Sequence, residues 1–310
     1  MDKNVYDCII VGGGIAGLQA AVQLGRYQHH VLVIDSNNGR SNLCRKYHNI
    51  LGFPDGVSGE TLRELGRKQA SSYGIVFEED KVLSAAQENG IFTLETESGK
   101  THTANRLLLS TGVMDRIPPI PNIKPCLGMT LFVCPDCDGY EVIDKSVIIM
   151  GSGKPGAKMA LEITYWTKDI TYINHEKAEL DEALLQELRD NGITYIEEEI
   201  EGLLTENTSN FKGVRLANGQ QIDAERGFIA FGGNEVRTDL AKMLGVERLE
   251  NKHVLVDPRT KQTKVKNVWA AGDIVAHSEQ STIAMGEATQ AAIWIHKSIL
   301  SDKKSKYIHD

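Results

Sequence analysis

The chain has 310 residues, 41% of them hydrophobic and 25% charged, with a net charge of −8; that allows two domains with proper cores and excludes a basic surface for nucleic acid or anionic membrane. Five cysteines, an odd number scattered over a long chain, make no secreted disulfide framework and fit a reducing cytoplasm. Cys8-Ile9-Ile10-Val11 is too short for a signal peptide, no apolar stretch approaches the roughly 18 residues of a membrane span, and the whole chain reads as mature protein.

Tyr6 to Val11 is a β-rich run that enters Gly12-Gly13-Gly14-Ile15-Ala16-Gly17. Apolar residues at helical spacing follow to Gln28, and the strand Val31-Leu32-Val33-Ile34 ends in Asp35. This is a dinucleotide-binding pattern with a physical reason for each part. Gly12 permits the tight bend, Gly14 lets the backbone approach a pyrophosphate, and Gly17 lets the helix lie close on the strand. The helix N-terminus turns free N–H groups and its positive dipole end toward phosphate. Asp35, 23 residues after Gly12, is placed to accept hydrogen bonds from a ribose.

Ser110-Thr111-Gly112 and the proline-rich Ile117-Pro118-Pro119-Ile120-Pro121 mark a crossover into a second domain. Cys134-Pro135-Asp136-Cys137-Asp138-Gly139 follows. Two cysteines at this spacing, in a turn entering a helix, can close a disulfide and can hold one thiol at a depressed pKa. Asp138 is beside them to move the proton that each exchange step requires. Structural zinc also uses C-x-x-C, but normally with a second ligand pair. Cys8, Cys44 and Cys126 are singletons, so redox chemistry with no metal is the expectation, with these three cysteines as bystanders.

A second strand, glycine turn and helix begins at Ser146-Val147-Ile148-Ile149-Met150, turns through Gly151-Ser152-Gly153-Lys154-Pro155-Gly156, is helical to Trp166, and leads to the strand Ile170–Ile173. Here Asn174 stands at the offset that Asp35 has from Gly12, and the next residues are His175-Glu176-Lys177, with no arginine pair for a 2′-phosphate. Gly151, Gly153, Gly156 and Asn174 are the candidate NAD(P) residues of this weaker site, and Lys154 and Lys177 its candidate cations. A fold retained as scaffold for the cysteines is the alternative. Phe231-Gly232-Gly233-Asn234 marks the return crossover, and Val268-Trp269-Ala270-Ala271 is a short strand before Gly272-Asp273. A helix rich in alanine is expected from Gln280 to Ile299. Asp273 can accept a ribityl or ribose hydroxyl, and N–H groups near Gln280, Ser281 and Thr282 can face a flavin ring.

The order of these pieces implies an α/β chain of two Rossmann-like, three-layer dinucleotide-binding domains, the second inserted into the first. The expected boundaries are 1–113 and 241–310 for an FAD-binding domain and 114–240 for an NAD(P)-type domain carrying the cysteines.

The motifs at Gly12, Cys134, Gly151 and Ala271-Gly272-Asp273 stand in the order of the low-molecular-weight thioredoxin reductases, and the chain resembles that family over nearly its whole length. The resemblance implies a homodimeric FAD enzyme that takes electrons from NADPH or NADH and passes them to the cysteine pair and on to a thioredoxin-like protein or small disulfide. It implies FAD contacts from Gly12, Gly14, Gly17, Asp35, Asn49, Gly112, Gly272, Asp273, Gln280 and Ser281. It further implies Cys137 as the sulfur nearer the flavin, Cys134 as the exchanging sulfur and Asp138 as proton donor and acceptor. Asn42, the surroundings of His48, Gly139-Tyr140-Glu141-Val142 and Glu279-Gln280 look more like a related branch of small-molecule dithiol oxidases, which usually have His where this chain has Asp138. Oxidation of a dithiol at the expense of oxygen, a reductase fed by a donor other than NADPH, and a flavin and disulfide sensor without turnover are the alternatives. For the tail, 301–310, a frayed charged end is expected. The alternative has Tyr307, Ile308 and His309 covering the flavin of a partner subunit.

Overall fold

The computed structural model describes the backbone of residues 5–308 and the side chains of 5–302. The chain forms two compact units. One comprises residues 1–42, 59–114 and 236–310, and the other 43–58 and 115–235. The expected inserted domain, 114–240, omits the segment 43–58. That segment sides with the second unit because Arg45 donates from Nη1 to the Pro125 carbonyl at 3.0 Å and the backbone of Gly128 runs directly against that of Arg45.

The first unit is built on a five-stranded parallel sheet in the order Val268–Ala270, Leu107–Leu109, Cys8–Val11, Val31–Asp35, Val76–Glu79. The inner strands are buried on both faces, as parallel strands covered by two layers must be. Side chains alternate between two cores. Cys8 and Ile10 join the helical layer with Leu24, Val33 and Ile295, while Ile9 and Val11 face Phe92, Leu94 and Val254. The helix Ile15–Arg26 buries mostly small residues, Ala16, Gly17, Ala20 and Ala21. Ser281–Ile308 answers with Ala284, Ala288, Ala291 and Ala292, so two helices can lie close together under the sheet. An antiparallel layer, chiefly Val82–Glu88, Ile91–Thr96 and Thr101–Ala104, covers the other face.

The run Tyr6–Val11 is interrupted. Asp7 accepts the His30 N–H at 2.9 Å on its carboxylate, and this break sends Val5–Tyr6 to the covering layer and Cys8–Val11 to the parallel sheet. The last helix, expected to end at Ile299, continues to Ile308. The tail is therefore helical as far as it is described. The side chains of Tyr307 and Ile308, and all of His309 and Asp310, lie outside the described residues.

The second unit repeats the plan. Its parallel sheet runs Leu131–Phe132, Arg226–Ala230, Val147–Gly151, Ile170–Asn174, Thr194–Ile196. One face carries helices such as Gly153–Ile163 over Ile149, Tyr172 and Phe228. The other carries the antiparallel sheet Ile200–Glu206, Asn210–Leu216, Gln221–Asp223 over Ile148, Met150 and Ile173. Two three-layer Rossmann-like folds are thus present. No helix among the described residues is long and apolar enough to cross a membrane.

Candidate functional site

In the first unit the strand order puts the glycine turn at a topological switch point. The chain leaves Cys8–Val11 toward Val31–Asp35 on one side, while Leu107–Leu109 lies on the other, and ligands in such sheets sit outside the carboxyl ends of the strands at that reversal. Gly12 adopts φ +103° with its Cα against the Ser110 carbonyl, so a side chain there would meet both strain and backbone. Gly17 lies equally hard against the Gly12 carbonyl. At Gly14, by contrast, a Cβ would meet no atom within 4 Å; this open point sits at the start of the helix Ile15–Arg26, where N–H groups converge.

Around that cradle the unit gathers Asp35, Gly112, Gly272, Asp273, Gln280 and Ser281, each at the carboxyl end of a parallel strand or at the start of the last helix. Asp35 is buried at the end of its strand and accepts from Arg63 Nη2 at 2.8 Å. Arg40 reaches from the start of the short helix Arg40–Leu43 to Asp273 at 3.1 Å and to Glu279 at 2.7 Å. The Gly112 carbonyl accepts the Arg237 N–H at 3.1 Å. Gln280 accepts the first helical bond, from Ala284 at 2.9 Å, so the N–H groups of 281–283 are directed out of the helix end. Asn49 is exposed and belongs to the other unit.

The open glycine turn at a helix start, the carboxylate of Asp35 at the next strand end and a second carboxylate at Asp273 fit an adenine dinucleotide with a sugar-alcohol chain, as FAD has. Arg63 Nε is buried with no protein partner among the described residues, a donor available to such a ligand.

Sequence reasoning missed the residue that holds this turn. Glu287, buried, accepts the Gly272 N–H at 3.2 Å, and lies 2.6 Å from His277 Nε2 and 2.8 Å from Lys261 Nζ. An acid in the middle of an alanine-rich helix was the available signal, since a carboxylate at such a position needs partners.

In the second unit Cys134 and Cys137 are joined by a disulfide, with Cα atoms 5.3 Å apart. They follow the strand Leu131–Phe132; Cys134 caps the short helix Pro135–Asp138 and Cys137 lies within it. Pro135 occupies the first helical turn, where its missing N–H costs nothing. The Cys134 carbonyl accepts from Cys137 and Asp138 at 3.3 and 3.1 Å, closing the turn that brings the sulfurs together. Gly139 then lies flat against the Trp166 ring, which fills the place a Cβ would need.

Burial pushes the Asp138 carboxyl up to about 7, and the charge of Glu141 adds to it. Asp138 is thereby poised to give or take a proton near neutrality. His48 Nδ1 lies 3.7 Å from Glu141. The remaining thiols are poor nucleophiles at neutral pH. Burial pushes Cys8 up to about 12 and Cys44 up to about 11, and raises Cys126 as well.

The second glycine turn keeps its shape. Gly151 has its Cβ position filled by the Ala230 carbonyl, Gly156 by the Tyr172 ring, and Gly153 adopts φ +52°. Asn174, the candidate NAD(P) residue at the offset of Asp35, is wholly buried, and its side-chain amide is hydrogen-bonded within the protein. Lys177 pairs with Glu198 at 2.8 Å, and Lys154 is exposed.

A family model for pyridine nucleotide-disulphide oxidoreductases matches residues 6–289. The chain belongs to that family. Among curated proteins, the thioredoxin reductase of Mycolicibacterium smegmatis is 28% identical over 301 residues, covering 94% of this chain and 96% of that one. Among solved structures, HlmI superposes with a TM-score of 0.89 at 26% identity, covering 100% of this chain and 97% of that one. An oxidoreductase from Agrobacterium tumefaciens does so with a TM-score of 0.79 at 28% identity, covering 96% and 99%. This pyridine nucleotide-disulphide oxidoreductase is therefore thioredoxin-reductase-like in fold and in its cysteine pair, and membership implies a flavin and a pyridine nucleotide as the family's redox cofactors.

Proposed function

We propose that the protein is an FAD-dependent thiol–disulfide oxidoreductase in which Cys134 and Cys137 pass electrons to the disulfide of a thioredoxin-like protein or small molecule. The observation that carries this reading is the Cys134–Cys137 disulfide followed directly by Asp138, a carboxyl held at about 7.

Gly12, Gly14, Gly17, Asp35, Gly112, Gly272, Asp273, Gln280 and Ser281, all in the first unit, are the residues that hold FAD. When bound, FAD supplies a carrier that accepts or delivers two electrons in a single protein.

The protein's own residues supply the exchange. The thiolate of reduced Cys134 attacks one sulfur of the substrate disulfide, forming a mixed disulfide and breaking the substrate S–S bond; Asp138 protonates the departing thiolate. Cys137 then attacks Cys134, closing the intramolecular disulfide and releasing the second substrate sulfur as a thiol. The substrate gains two electrons and two protons, and the cysteine pair is left oxidised.

A cytoplasmic homodimer is part of this proposal, in keeping with three free thiols. For NADPH or NADH the second glycine turn, Gly151, Gly153 and Gly156, is a weaker site, with no arginine pair after Asn174 and with Lys177 engaged by Glu198. Because the Asn174 amide is already satisfied within the protein, a second reading has support. In it, a small dithiol reduces the cysteine pair and oxygen is the final acceptor.

The purified protein should be yellow and release stoichiometric FAD on denaturation. A colourless, folded preparation that FAD does not reconstitute overturns the reading. Reduction of a disulfide dye with NADPH, NADH or reduced ferredoxin supports the reductase direction, whereas oxygen uptake with small dithiols, absent dye reduction, supports the oxidase.

A further inference from the structure

The sheet order of the second unit sets the strand Val147–Gly151 between Arg226–Ala230 and Ile170–Asn174. The Gly151–Gly153 turn therefore opens between the loop that follows residue 230 and the loop that follows residue 174. Arg116 joins those two loops. Its Nη1 donates to the Phe231 carbonyl at 3.5 Å, its guanidinium lies 5.9 Å from the Phe231 ring centre, and its backbone N–H donates to Asn234 Oδ1 at 3.1 Å. On the other side both terminal nitrogens meet Glu176, Nη2 on Oε1 and Nη1 on Oε2 at 3.3 Å. The guanidinium thus spans the end of the middle strand, over the place where a pyrophosphate enters a fold of this kind. A cavity of about 190 Å³ adjoins it, lined also by Pro155, Met159, Phe231 and Gly232.

We propose that the Arg116–Glu176 pair is a clasp that excludes pyridine dinucleotides from the second fold, with Glu176 as the residue that sets this specificity. The inference rests on the reading of that fold as a nucleotide-type domain.

The pair is half-exposed, with side chains 47% and 35% accessible, so it contributes little to stability. Its effect is on the ligand. A dinucleotide phosphate that took Arg116 would have to separate it from Glu176 and leave that carboxylate facing another anion, and like charges brought together across an interface disfavour binding strongly. The Ser152 hydroxyl, at the foot of the helix Gly153–Ile163, and then Arg116 hold the Glu176 carboxyl below its ordinary range, which keeps the negative charge in place through neutral pH. The cations that the sequence offers nearby do not compensate, since Lys177 is engaged by Glu198.

Calorimetric titration of the flavin-loaded protein with NADP⁺, NAD⁺ and 2′,5′-ADP tests this without turnover. The parent should bind none of them tightly. Glu176→Ala and Glu176→Gln should bind NADP⁺ roughly tenfold or more tighter than the parent, the fold-change of one recovered charge-assisted phosphate contact. Arg116→Ala, which leaves the carboxylate behind, should not gain. Micromolar binding of NADP⁺ or NAD⁺ to the parent overturns the clasp, and so does a failure of both Glu176 variants to bind tighter. Exchange of the chemically reduced parent with a disulfide dye reads the thiol–disulfide function separately: loss of that exchange sinks the functional reading, while the titrations still decide the clasp.

Discussion

Asn174 turns its side-chain oxygen onto the N–H of Gly153 at 2.9 Å. Its amide nitrogen donates to the Ala178 carbonyl and the Tyr195 hydroxyl at 2.8 and 2.9 Å. A residue that stands where a ribose acid would stand is instead an internal tie between the glycine turn and the strand beside it. Asn174→Asp tests the difference. On the sequence pattern alone this change would create an NAD-type acid. In the structure it removes two donated bonds and sets a carboxylate against the Ala178 carbonyl, leaving two half-buried acceptors without that donor at up to roughly 1–3 kcal/mol each. The variant should unfold at lower temperature and gain no NADH affinity. Unchanged stability with tighter NADH binding would contradict the assignment.

The carboxyl of Asp138, raised to about 7 from 3.8, gives a stability dependence of definite sign. The folded state binds this proton more tightly than the unfolded chain does. The resulting stabilisation is complete below pH 3.8 and is lost as pH rises through about 7. The raised value corresponds to an upper bound of about 4 kcal/mol at 1.36 kcal/mol per pH unit. Asp138→Asn removes the titration, so the stability of the parent relative to the variant should fall as pH climbs from 4 to 7. In thiol–disulfide exchange the same variant should lose the limb of the pH–rate profile centred near 7. Parallel stability curves, or a retained limb, would assign the proton to another group.

The glycine turns were legible because they are local. Gly12, Gly17 and Gly151 are required by backbone contacts that a side chain would obstruct, and such requirements repeat at fixed spacing. The three-layer folds and the cysteine pair followed from the same short-range patterns. What stayed hidden depends on residues far apart in sequence. Arg40 finds Asp273 across 233 positions, Arg116 finds Glu176 across 60, and Asp138 owes its raised carboxyl to burial that no spacing reveals. Position 174 was read by its offset, yet its role is set by Tyr195 on the neighbouring strand. The segment 43–58 was assigned by sequence continuity, although its contacts run to Pro125 and Gly128.

The cysteines divide sharply by environment. Cys134 and Cys137 are half-buried and bonded to each other, whereas Cys8, Cys44 and Cys126 hold raised pKa values. Cys134→Ser and Cys137→Ser should each abolish exchange while flavin remains bound, because one thiol cannot close the intramolecular disulfide. Cys8→Ala and Cys126→Ala should lower stability and leave exchange in place, both being small apolar fillers of a core. Thiol titration of the native, oxidised protein should find slow modification of Cys8. Full disulfide turnover in either serine variant would show that electrons bypass the pair.

Glu287 gives the last test, because it joins stability to cofactor retention. Its carboxylate is buried, accepts the Gly272 N–H, and is neutralised by Lys261 at 2.8 Å. Glu287→Ala leaves Lys261, itself only 13% exposed, as an unpaired cation in the core. Breaking a buried pair from one side typically costs about 3–5 kcal/mol. It also releases Gly272, whose φ of +81° and close approach to Ala16 fix the turn that presents Asp273. Glu287→Gln keeps an oxygen for the Gly272 N–H and loses only the charge, so it should be destabilised less and should hold the turn. The order parent, Gln, Ala is expected both in thermal midpoint and in flavin retained after gel filtration, measured at a temperature where circular dichroism shows all three folded. If the alanine variant retained flavin as the parent does, Glu287 would be tied to the stability of the core and not to the placement of Asp273.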